Sequence, residues 1–329
     1  MRVSVIIPVY NAAGTLPDAL ESIRRQSWDE IEICAVNDAG TDGSLRILEE
    51  FKTRFEENPK RKLKIISHDR NQGVAAARNT ALDAVTGEFI CWVDADDRMG
   101  GNAVEKALRV FNDSGSDIVG WDWTLNSSDG NRYMRQPDCT GVEEALKALM
   151  GGTLRWNLWL FMARKELFDD IRFTPGMNMG EDMMAVIRIF LKARRFGQIH
   201  EPLYSYRQTG SSVSRTRTES NLHQVCANLD LAEKALEESD YSYLAEPYIS
   251  LLKLNVKLPL LVSQDKNDYL RWLECYPEAN DAIMLNRHLP MRTKILQKMA
   301  AGRMWFPVRL YNKLVYGIFY RLMLCGKSS

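Results

Sequence analysis

The amino-acid sequence predicts an α/β protein, in which a mostly parallel sheet is flanked by helices and followed by a helical C-terminal region. Up to Leu125, segments rich in β-branched residues alternate with segments of helical periodicity. The apolar segments are short and nearly continuous, which is typical of strands buried on both faces of a parallel sheet. From about Glu219 onward, the pattern is almost wholly helical.

Residue spacing identifies each element of the first part. The predicted strands are Val3–Val9, Ile31–Val36, Leu63–Ile66, Glu88–Val93 and Ile118–Leu125. Apolar residues three and four positions apart predict helices over Thr15–Gln26, Gly43–Phe55, Val74–Val85, Ala103–Phe111, Glu143–Met150 and Asp182–Ala193. Strands that are separated by helices pair in parallel, with helices on both faces of the sheet.

The pattern divides the chain into two predicted parts, residues 1–218 and residues 219–329. The segment Gly210–Arg217, just before this boundary, is rich in Ser, Thr and Arg. Such a composition is typical of a hinge or a mobile loop.

Composition excludes several classes of protein. The 329 residues include 43 Lys and Arg and 43 Asp and Glu, so the formal net charge is zero and gives no indication of a nucleic-acid partner. The six cysteines lie far apart without CxxC pairs, which favours reduced thiols over a disulfide frame or a zinc site. The N-terminus lacks a signal peptide, and no apolar stretch reaches the roughly 18 residues of a membrane span. We therefore expect a cytoplasmic protein.

Polar side chains follow four consecutive predicted strands at the point where each strand ends. They are Tyr10-Asn11, Asn37-Asp38, His68–Gly73 and Asp94–Asp97. Open parallel sheets bind ligands beyond the carboxyl ends of their strands. The sequence therefore predicts an active site at this edge of the sheet.

The last of these clusters is the most informative, because the apolar run Phe89–Val93 leads directly into Asp94, Asp96 and Asp97. Burying unpaired carboxylates costs several kcal/mol, so we expect them in a cleft that faces a cation. Oxygen ligands favour Mg²⁺ or Mn²⁺. The alternative is that these strand-end aspartates only cap the following helix.

The other strand ends carry weaker signals. No GxGxxG or GxxxxGK[ST] motif occurs, which disfavours dinucleotide-binding dehydrogenases and the common nucleotide triphosphatases. Asp38 is placed to accept the imide N–H of a uracil, whereas Asp42 is more simply a helix N-cap. Gly73 lies in a turn that lets backbone approach a ligand, and Arg78 either reaches a phosphate or is solvated.

Taken in order, these motifs resemble family 2 glycosyltransferases of the bacterial polysaccharide-biosynthesis type. The resemblance is carried by Pro8-Val9-Tyr10-Asn11, Asn37-Asp38, Asn71-Gln72-Gly73 through Ala77-Arg78-Asn79, Asp94-Ala95-Asp96-Asp97, Gly180-Glu181-Asp182 and Tyr206-Arg207 through Ser211–Ser214. It spans residues from the first strand to about Arg215 and implies the GT-A fold. Each motif is weak alone, but the ordered set is specific.

The resemblance implies an inverting hexosyl- or N-acetylhexosaminyl-transferase that uses a nucleotide-diphosphate sugar, expected to be a UDP-sugar, with Mn²⁺ or Mg²⁺. It makes Asp96 the metal ligand and Asp182 the catalytic carboxylate, with Glu181 shaping the acceptor side. The implied donor-binding residues are Pro8, Tyr10, Asn11, Asp38, Gly73, Arg78, Asp94 and Arg207. Without the resemblance, Glu181 and Asp182 would be ordinary acids at a helix N-terminus.

One departure from the family concerns the metal. Some relatives carry a metal-holding histidine near the position of Gln208, and this chain has none there. We therefore expect the ion to be held by Asp96, phosphates and water, and to bind weakly without the donor. Arg207 is expected to reach the diphosphate as the Ser-rich segment closes, or else to be a surface arginine.

The acceptor is expected to be a hydroxyl of a glycan or of a lipid-linked molecule. Aromatic faces suit sugar rings, so Trp156 and Trp159 are candidates for an acceptor pocket, although core packing is favoured for Trp159. Trp121 and Trp123 alternate on a strand, and either core packing or acceptor contact fits them.

The stretch Trp305–Leu324 is predicted to be an amphipathic helix with Pro307 near its start. Its apolar residues are Val308, Tyr311, Val315, Ile318 and Leu322, and Arg309, Lys313, Tyr316 and Tyr320 form another stripe. Such a helix either lies at the inner face of the cell membrane as a peripheral anchor or packs on protein.

Two other functions fit parts of the sequence. A sugar nucleotidyltransferase also handles sugar nucleotides on an α/β sheet, but the glycine-rich loop and basic residue that it usually has near the first strand are not evident. A donor-binding or scaffolding protein without activity is the non-enzymatic alternative, and retention of Asp96 and Asp182 disfavours it.

Overall fold

A computed structural model describes residues 1–128, 130–208, 218–262 and 265–314. The chain forms two compact units: Met1–Ala145 with Trp156–Ala232, and Leu146–Arg155 with the residues from Glu233 onward. The predicted hinge, Gly210–Arg217, lies outside the described residues, as does the predicted interface helix beyond residue 314.

The first four strands form the parallel half of a nine-stranded sheet. They are β1 (Val3–Val9), β2 (Ile31–Asn37), β3 (Lys62–Ser67) and β4 (Phe89–Trp92). Their order is β3-β2-β1-β4, and every neighbouring pair is parallel. β2 and β4 are buried along their whole length, which explains why β4 is wholly apolar and β2 mostly so.

The second half of the sheet mixes parallel and antiparallel pairs. Its strands are β5 (Arg98–Met99), β6 (Ile118–Ser127), β7 (Gly130–Met134), β8 (Phe161–Arg164) and β9 (Phe196–Arg207). The order continues from β4 through β8, β6 and β9 to β5, and β7 pairs with β6. Only β6 and β9 are parallel here. The predicted α/β class is confirmed, and β6 is the only strand of this half that the sequence predicted.

Helices separate and follow these strands, and the first four of them contact strands of the sheet. They are α1 (Leu16–Arg24), α2 (Ser44–Phe55), α3 (Val74–Ala84), α4 (Ala103–Ser114), α5 (Val142–Gly151), α6 (Glu181–Lys192) and α7 (Glu219–Glu237). The N-cap of α2 is Gly43. The sequence predicted Asp42 as this N-cap, so the prediction is off by one residue. Oδ1 of Asp42 nevertheless accepts a bond from the Ser44 N–H (3.0 Å). Its Oδ2 accepts a bond from the Ala13 N–H (2.8 Å), which fixes the loop after β1.

The second unit is helical, as predicted. It contains α8 (Ala245–Leu261), α9 (Lys266–Glu274), α10 (Met291–Ala301) and a helix over residues 305–314. Its core includes Lys257, whose Nζ donates to three oxygens and lies 4.2 Å from the centre of the Trp272 ring. Within the described ranges, no helix is long and apolar enough to cross a bilayer.

Candidate active site

The end of β4 is fixed by a buried aspartate. Asp97 is fully buried, and its two oxygens accept bonds from the Arg207 N–H (2.7 Å) and from the Tyr204 hydroxyl (2.9 Å). The same hydroxyl accepts a bond from the Asp94 N–H (3.1 Å). Burial and the nearby charge of Asp94 raise the pKa of Asp97 to about 8. Asp97 therefore ties the turn after β4 to β9, a role that the sequence did not assign to it.

Asp94 and Asp96 are half-buried on the same turn. Burial raises the pKa of Asp94 to about 7, although Arg78 opposes the shift, and the charges of Asp182 and Asp96 add to it. Burial also raises the pKa of Asp96, against the effect of Arg207. Among the described residues, Asp96 bonds to no other side chain. These carboxylates need a positive partner that the described residues do not fully supply.

Arg78 is the cation at the centre of this cluster. Its side chain is 4% exposed, and its Nη1 lies 2.7 Å from Oε1 of Glu181 and 2.5 Å from Oδ1 of Asp182. The guanidinium lies 5.7 Å and 5.5 Å from the ring centres of Trp92 and Phe173. Arg78 was predicted to reach a phosphate or to be solvated; here it is buried and faces carboxylates.

Glu181 and Asp182 begin helix α6, directly after Gly180. Oδ2 of Asp182 accepts a bond from the Leu158 N–H (3.2 Å), which fixes the side chain. Burial raises the pKa of Glu181 to about 7, Arg78 opposes this shift, and the charge of Asp182 adds to it. Glu181 thus takes up a proton more readily than a glutamate in water does.

Several buried polar atoms around Arg78 lack hydrogen bonds. They are Nε of Arg78, Nε1 of Trp92 and Oδ1 of Asp182, which is close to Nη1 but not aligned for a hydrogen bond. Such atoms are rare in folded proteins unless a ligand, an ion or water completes them. Their concentration beside Asp94 and Asp182 indicates a ligand site.

Asp38 fixes the loop that follows β3. It is 3% exposed, and Oδ1 lies 2.6 Å from Nδ1 of His68 and accepts a bond from the Gln72 N–H (2.9 Å). Oδ2 accepts a single bond, from the Gly73 N–H (2.7 Å). A carboxylate oxygen can accept two bonds, so Oδ2 retains acceptor capacity for a ligand.

Gly73 joins this loop to the segment before α6. Its φ of +87° favours glycine, and a Cβ there would lie 2.4 Å from Nδ2 of Asn178. Oδ1 of Asn178 accepts a bond from the Ala75 N–H (3.1 Å), one residue into α3. Contacts therefore connect Asp38 through α3 to Asp182, and Asp182 to Asp94, within one unit. The structure thus connects carboxylates from three separate segments: Asp38 after β2, Asp94 and Asp96 after β4, and Asp182 at the start of α6.

Other predicted residues lie near the strand ends without joining this network. Tyr10 is 51% exposed, and Oδ1 of Asn11 accepts a bond from the Thr41 N–H (2.8 Å). Pro8 lies within β1, opposite Val36. Trp156 is half-buried.

Arg207 is held by an aspartate that the sequence did not single out. Nη2 of Arg207 donates to Oδ2 of Asp18 on α1 (2.8 Å), and Arg98 pairs with the same oxygen. Hydrogen bonds from both arginines lower the pKa of Asp18. Its position in the first turn of α1, just after the first strand end, is the only sequence signal that would have found it.

The aromatic residues of β6 and β9 pack against Trp159. Trp159 stacks on Tyr204 (4.4 Å between ring centres, 13° between planes) and on Tyr206 (5.6 Å and 11°). Trp159, Trp121 and Trp123 are all buried, so these three belong to the core. Trp156 is the one predicted aromatic candidate for acceptor contact that has substantial exposure.

A family model now adds to this geometry. The model for glycosyl transferase family 2 matches residues 4–190, more than half of the chain. The chain belongs to glycosyltransferase family 2. The matched range contains Asp38, Asp94, Asp96 and Asp182, and the family that the ordered motifs indicated is confirmed. Membership of this family favours a glycosyltransferase over the two alternatives, a sugar nucleotidyltransferase and a sugar-nucleotide-binding protein without activity.

Similar proteins agree with this assignment. The chain is 30% identical over 224 residues to the uncharacterized glycosyltransferase EpsJ of Bacillus subtilis, covering 64% of this chain and 62% of EpsJ, less than two thirds of that relative. Residues 1–349 of S. aureus TarS, solved with UDP-GlcNAc, superpose with a TM-score of 0.72 at 19% identity, covering 96% of this chain and 92% of TarS. The predicted GT-A fold is therefore confirmed.

A second solved structure has the same fold. It is the mannosyltransferase PcManGT of Pyrobaculum calidifontis, in complex with GDP-Man and Mn²⁺. Its TM-score is 0.56 at 18% identity, with 94% of this chain and 84% of PcManGT covered.

Proposed function

We propose that this protein is an inverting glycosyltransferase that moves a hexosyl or N-acetylhexosaminyl group from a UDP-sugar to a hydroxyl of a glycan or a lipid-linked acceptor. The observation that carries the proposal is the buried cluster in which Asp94, Glu181 and Asp182 surround Arg78. Asp96, which bonds to no other described side chain, lies beside it. A donor diphosphate with a cation would fit such a site. UDP is favoured because TarS was solved with UDP-GlcNAc, and PcManGT shows that the base varies within the fold.

A divalent cation fits the residues present. Oxygen ligands suit Mn²⁺ or Mg²⁺, and the Asp96 carboxylate bonds to no other described side chain. Within the described residues, no group of three or more His, Cys, Asp or Glu side chains is arranged to hold a metal. We therefore propose that Asp96 holds the ion together with the donor phosphates. When bound, the ion would stabilise the charge that develops on the leaving diphosphate.

Asp182 is the proposed general base. As the acceptor oxygen bonds to the anomeric carbon, the bond from that carbon to the diphosphate oxygen breaks, and the hydroxyl proton passes to Asp182. Arg78 lies 2.5 Å from Oδ1 of Asp182, and the Leu158 N–H bonds to Oδ2, so that both contacts position the carboxylate. General-base assistance of this kind contributes about 10²–10⁴ in rate. Glu181 shares Arg78, and we propose that it shapes the acceptor side with Trp156.

The donor is proposed to lie along the strand ends. The open acceptor capacity of Asp38 supports a contact with the uracil imide, and Pro8, Tyr10 and Asn11 would border the base. The backbone at Gly73 would approach the donor, with Asp94 on its ribose side. Arg207, which is one-third exposed, would reach the diphosphate after leaving Asp18. Arg78 would act on the phosphates only indirectly, through the carboxylates that it neutralises.

We also propose that the protein works in the cytoplasm and at the inner face of the cell membrane. A lipid-linked acceptor and a soluble nucleotide sugar would meet there. The basic and apolar residues at the C-terminal end support this placement.

Thermal stabilisation by a panel of nucleotide sugars, with and without Mn²⁺, tests the donor assignment. We expect one UDP-sugar with Mn²⁺ to raise the melting temperature, because a ligand stabilises the state that binds it. Asp96→Asn is expected to abolish the Mn²⁺-dependent part, and Lys52→Gln, a change at an exposed position of α2, should leave it intact. Stabilisation by a GDP-sugar instead would contradict the choice of UDP, and equal stabilisation of Asp96→Asn would contradict the metal site.

A further inference from the structure

The C-terminal end of the described chain is basic and contains no acids. After Asp281 the sequence has no aspartate or glutamate, although the whole chain has 43 basic and 43 acidic residues. The cations of residues 286–314 are Arg287, Arg292, Lys294, Lys298, Arg303, Arg309 and Lys313. Among the described residues, none of these seven pairs with a carboxylate. Their charges are therefore not neutralised by described carboxylates; the Arg309 guanidinium lies 5.9 Å from the centre of the Tyr269 ring, a contact that leaves its charge in place.

The helix over residues 305–314 presents apolar residues to both sides. On the inner side, Val308 is fully buried, Trp305 stacks on Tyr269 (5.3 Å between ring centres), and Asn312 donates to the Leu261 carbonyl (2.5 Å). Val308, the first residue of the predicted apolar stripe, is therefore packed against protein, and Tyr311, the next one, is half-buried. Val315, Tyr316, Ile318, Tyr320 and Leu322 of the predicted stripes lie outside the described residues.

A second apolar stripe on this helix points outward. Phe306 is 77% exposed, and Leu310 and Leu314 follow it at four-residue spacing, each about half exposed. Arg309 and Lys313 lie on the same exposed side. Large apolar side chains that alternate with cations are unusual on a surface that meets only water.

Helix α10 repeats the arrangement. Leu296 and Ala300 face the core, whereas Met291 and Ile295 are about half exposed. Exposed cations again accompany the outward apolar residues on this helix. We call the outward residues of the helix over residues 305–314 the basic apolar surface: Phe306, Arg309, Leu310, Lys313 and Leu314.

We propose that the basic apolar surface binds the interface of an anionic lipid bilayer. At that interface, headgroup phosphates accept lysine and arginine side chains, while phenylalanine and leucine enter the acyl boundary. A nucleic acid would satisfy the cations but would leave Phe306 and Leu310 exposed to water. The proposed function gives this binding its purpose, because a lipid-linked acceptor resides in the membrane, but binding itself does not depend on transfer.

Vesicle flotation of the full-length protein tests the proposal. We expect the protein to float with vesicles of phosphatidylcholine and phosphatidylglycerol but not with phosphatidylcholine alone, and to lose binding as salt is raised. Arg309→Glu with Lys313→Glu should weaken binding by at least about tenfold, since each basic residue near an anionic surface contributes about fivefold. Phe306→Ser with Leu310→Ser should also weaken it, because their burial in lipid is lost.

Matched controls separate this surface from general effects of charge and polarity. Lys52→Glu with Lys60→Glu makes the same charge change at exposed positions of the other unit, and Leu231→Ser removes an apolar side chain that is 41% exposed. These controls should bind vesicles as the unaltered protein does. If they lose binding equally, the basic apolar surface is not the contact.

Two further outcomes would overturn the proposal: flotation with neither vesicle, or retention of a single-stranded RNA probe without vesicle binding. Donor-dependent thermal stabilisation is measured in parallel on every variant. Loss of vesicle binding with retained donor stabilisation supports the membrane surface. A protein that floats as expected but responds to no nucleotide sugar contradicts the proposed function alone.

Discussion

Two buried cations, one in each compact unit, are held in opposite ways. Arg78 in the first unit has the carboxylates of Glu181 and Asp182 as partners. Lys257 in the second unit has the carbonyl oxygens of Cys275 and Tyr276 and the side-chain oxygen of Asn280, at 2.8–2.9 Å. Both cations lie close to aromatic rings, so burial and ring contacts alone do not distinguish them.

The difference lies in what each cation leaves unsatisfied. Lys257 has three N–H donors and three oxygen acceptors, so its bonding is complete, as expected of a group that only stabilises the fold. Around Arg78, Nε and the Oδ1 atom of Asp182 lack hydrogen bonds, and carboxylates outnumber cations. An excess of buried carboxylates over cations therefore marks the candidate site better than burial of a charge by itself.

The largest effect should come from Asp182→Asn, which keeps the shape of the side chain but removes the proposed base. We expect the transfer rate to fall by about 10²–10⁴ while the donor still binds. Glu181→Gln is the matched control, because it neutralises the neighbouring partner of Arg78, and its loss should stay below about tenfold. Single-turnover transfer of a labelled sugar measures both. Equal losses in the two variants would assign the base role to the pair rather than to Asp182.

Removing each cation tests the comparison directly. Arg78→Met leaves two buried carboxylates without a partner, and we expect the free energy of unfolding to fall by about 3–5 kcal/mol. Lys257→Met leaves neutral oxygens unsatisfied, which should cost about 1–3 kcal/mol. Urea denaturation at neutral pH measures both changes. A larger loss in Lys257→Met would show that the carboxylates around Arg78 do not depend on its charge.

The two regions should also respond to pH with opposite signs. The pKa of Glu181 is raised from 4.5 to about 7 in the folded state, so its contribution to stability is lost as the pH rises through about 7. The pKa of Lys257 is lowered from 10.5 to about 8, so the folded protein loses that proton first and gains stability as the pH rises from about 8 to 10.5. Each change should be about 1–3 kcal/mol.

Measuring the free energy of unfolding as a function of pH in Glu181→Gln and in Lys257→Met tests whether these two residues cause the two pH dependences. Glu181→Gln should flatten the decline below pH 7, and Lys257→Met should remove the alkaline rise. If either variant keeps the slope of the unaltered protein, another group causes it.

The smallest effect is expected at Asp18, whose side chain is 46% exposed. Exposed ion pairs contribute about 0.2–1 kcal/mol, so Asp18→Asn should change the donor dissociation constant by less than about fivefold. We expect tighter binding, because the Arg207 guanidinium would no longer be held on α1. Glu21→Gln, which alters another acid of α1 away from Arg207, is the control. Weaker donor binding in Asp18→Asn would mean that Asp18 positions Arg207 productively.

The parallel half of the sheet could be predicted from sequence because its signal is local. Each of its strands is a short apolar run next to a helical pattern. β7 and β9 carry mostly polar or half-exposed residues, and their pairing depends on partners far along the chain. No periodicity within β9 reveals that Tyr204 will bond to Asp97, which is 107 positions away.

The sequence predicted which carboxylates belong to the candidate site, but not which side chains they contact. Asp94, Asp96 and Asp182 were identified because ordered motifs mark them. The partner of Arg78 was missed because α3 and α6 begin about a hundred residues apart, and the spacing within each helix does not show that their first turns meet. Likewise, periodicity placed Val308 on an apolar face of a helix but left open whether that face meets a membrane or protein; in the structure Val308 is buried against protein.

Gly73 has a consequence for attempts to change donor selectivity by mutagenesis. A side chain there meets two obstacles at once: a backbone conformation suited to glycine, and the amide of Asn178. Randomised libraries of the loop after β3, which is proposed to approach the donor, should therefore vary Asn71 and Gln72, which are exposed, and leave position 73 unchanged. Any substitution recovered at position 73 should come with a smaller residue at 178, so the two codons are best diversified together.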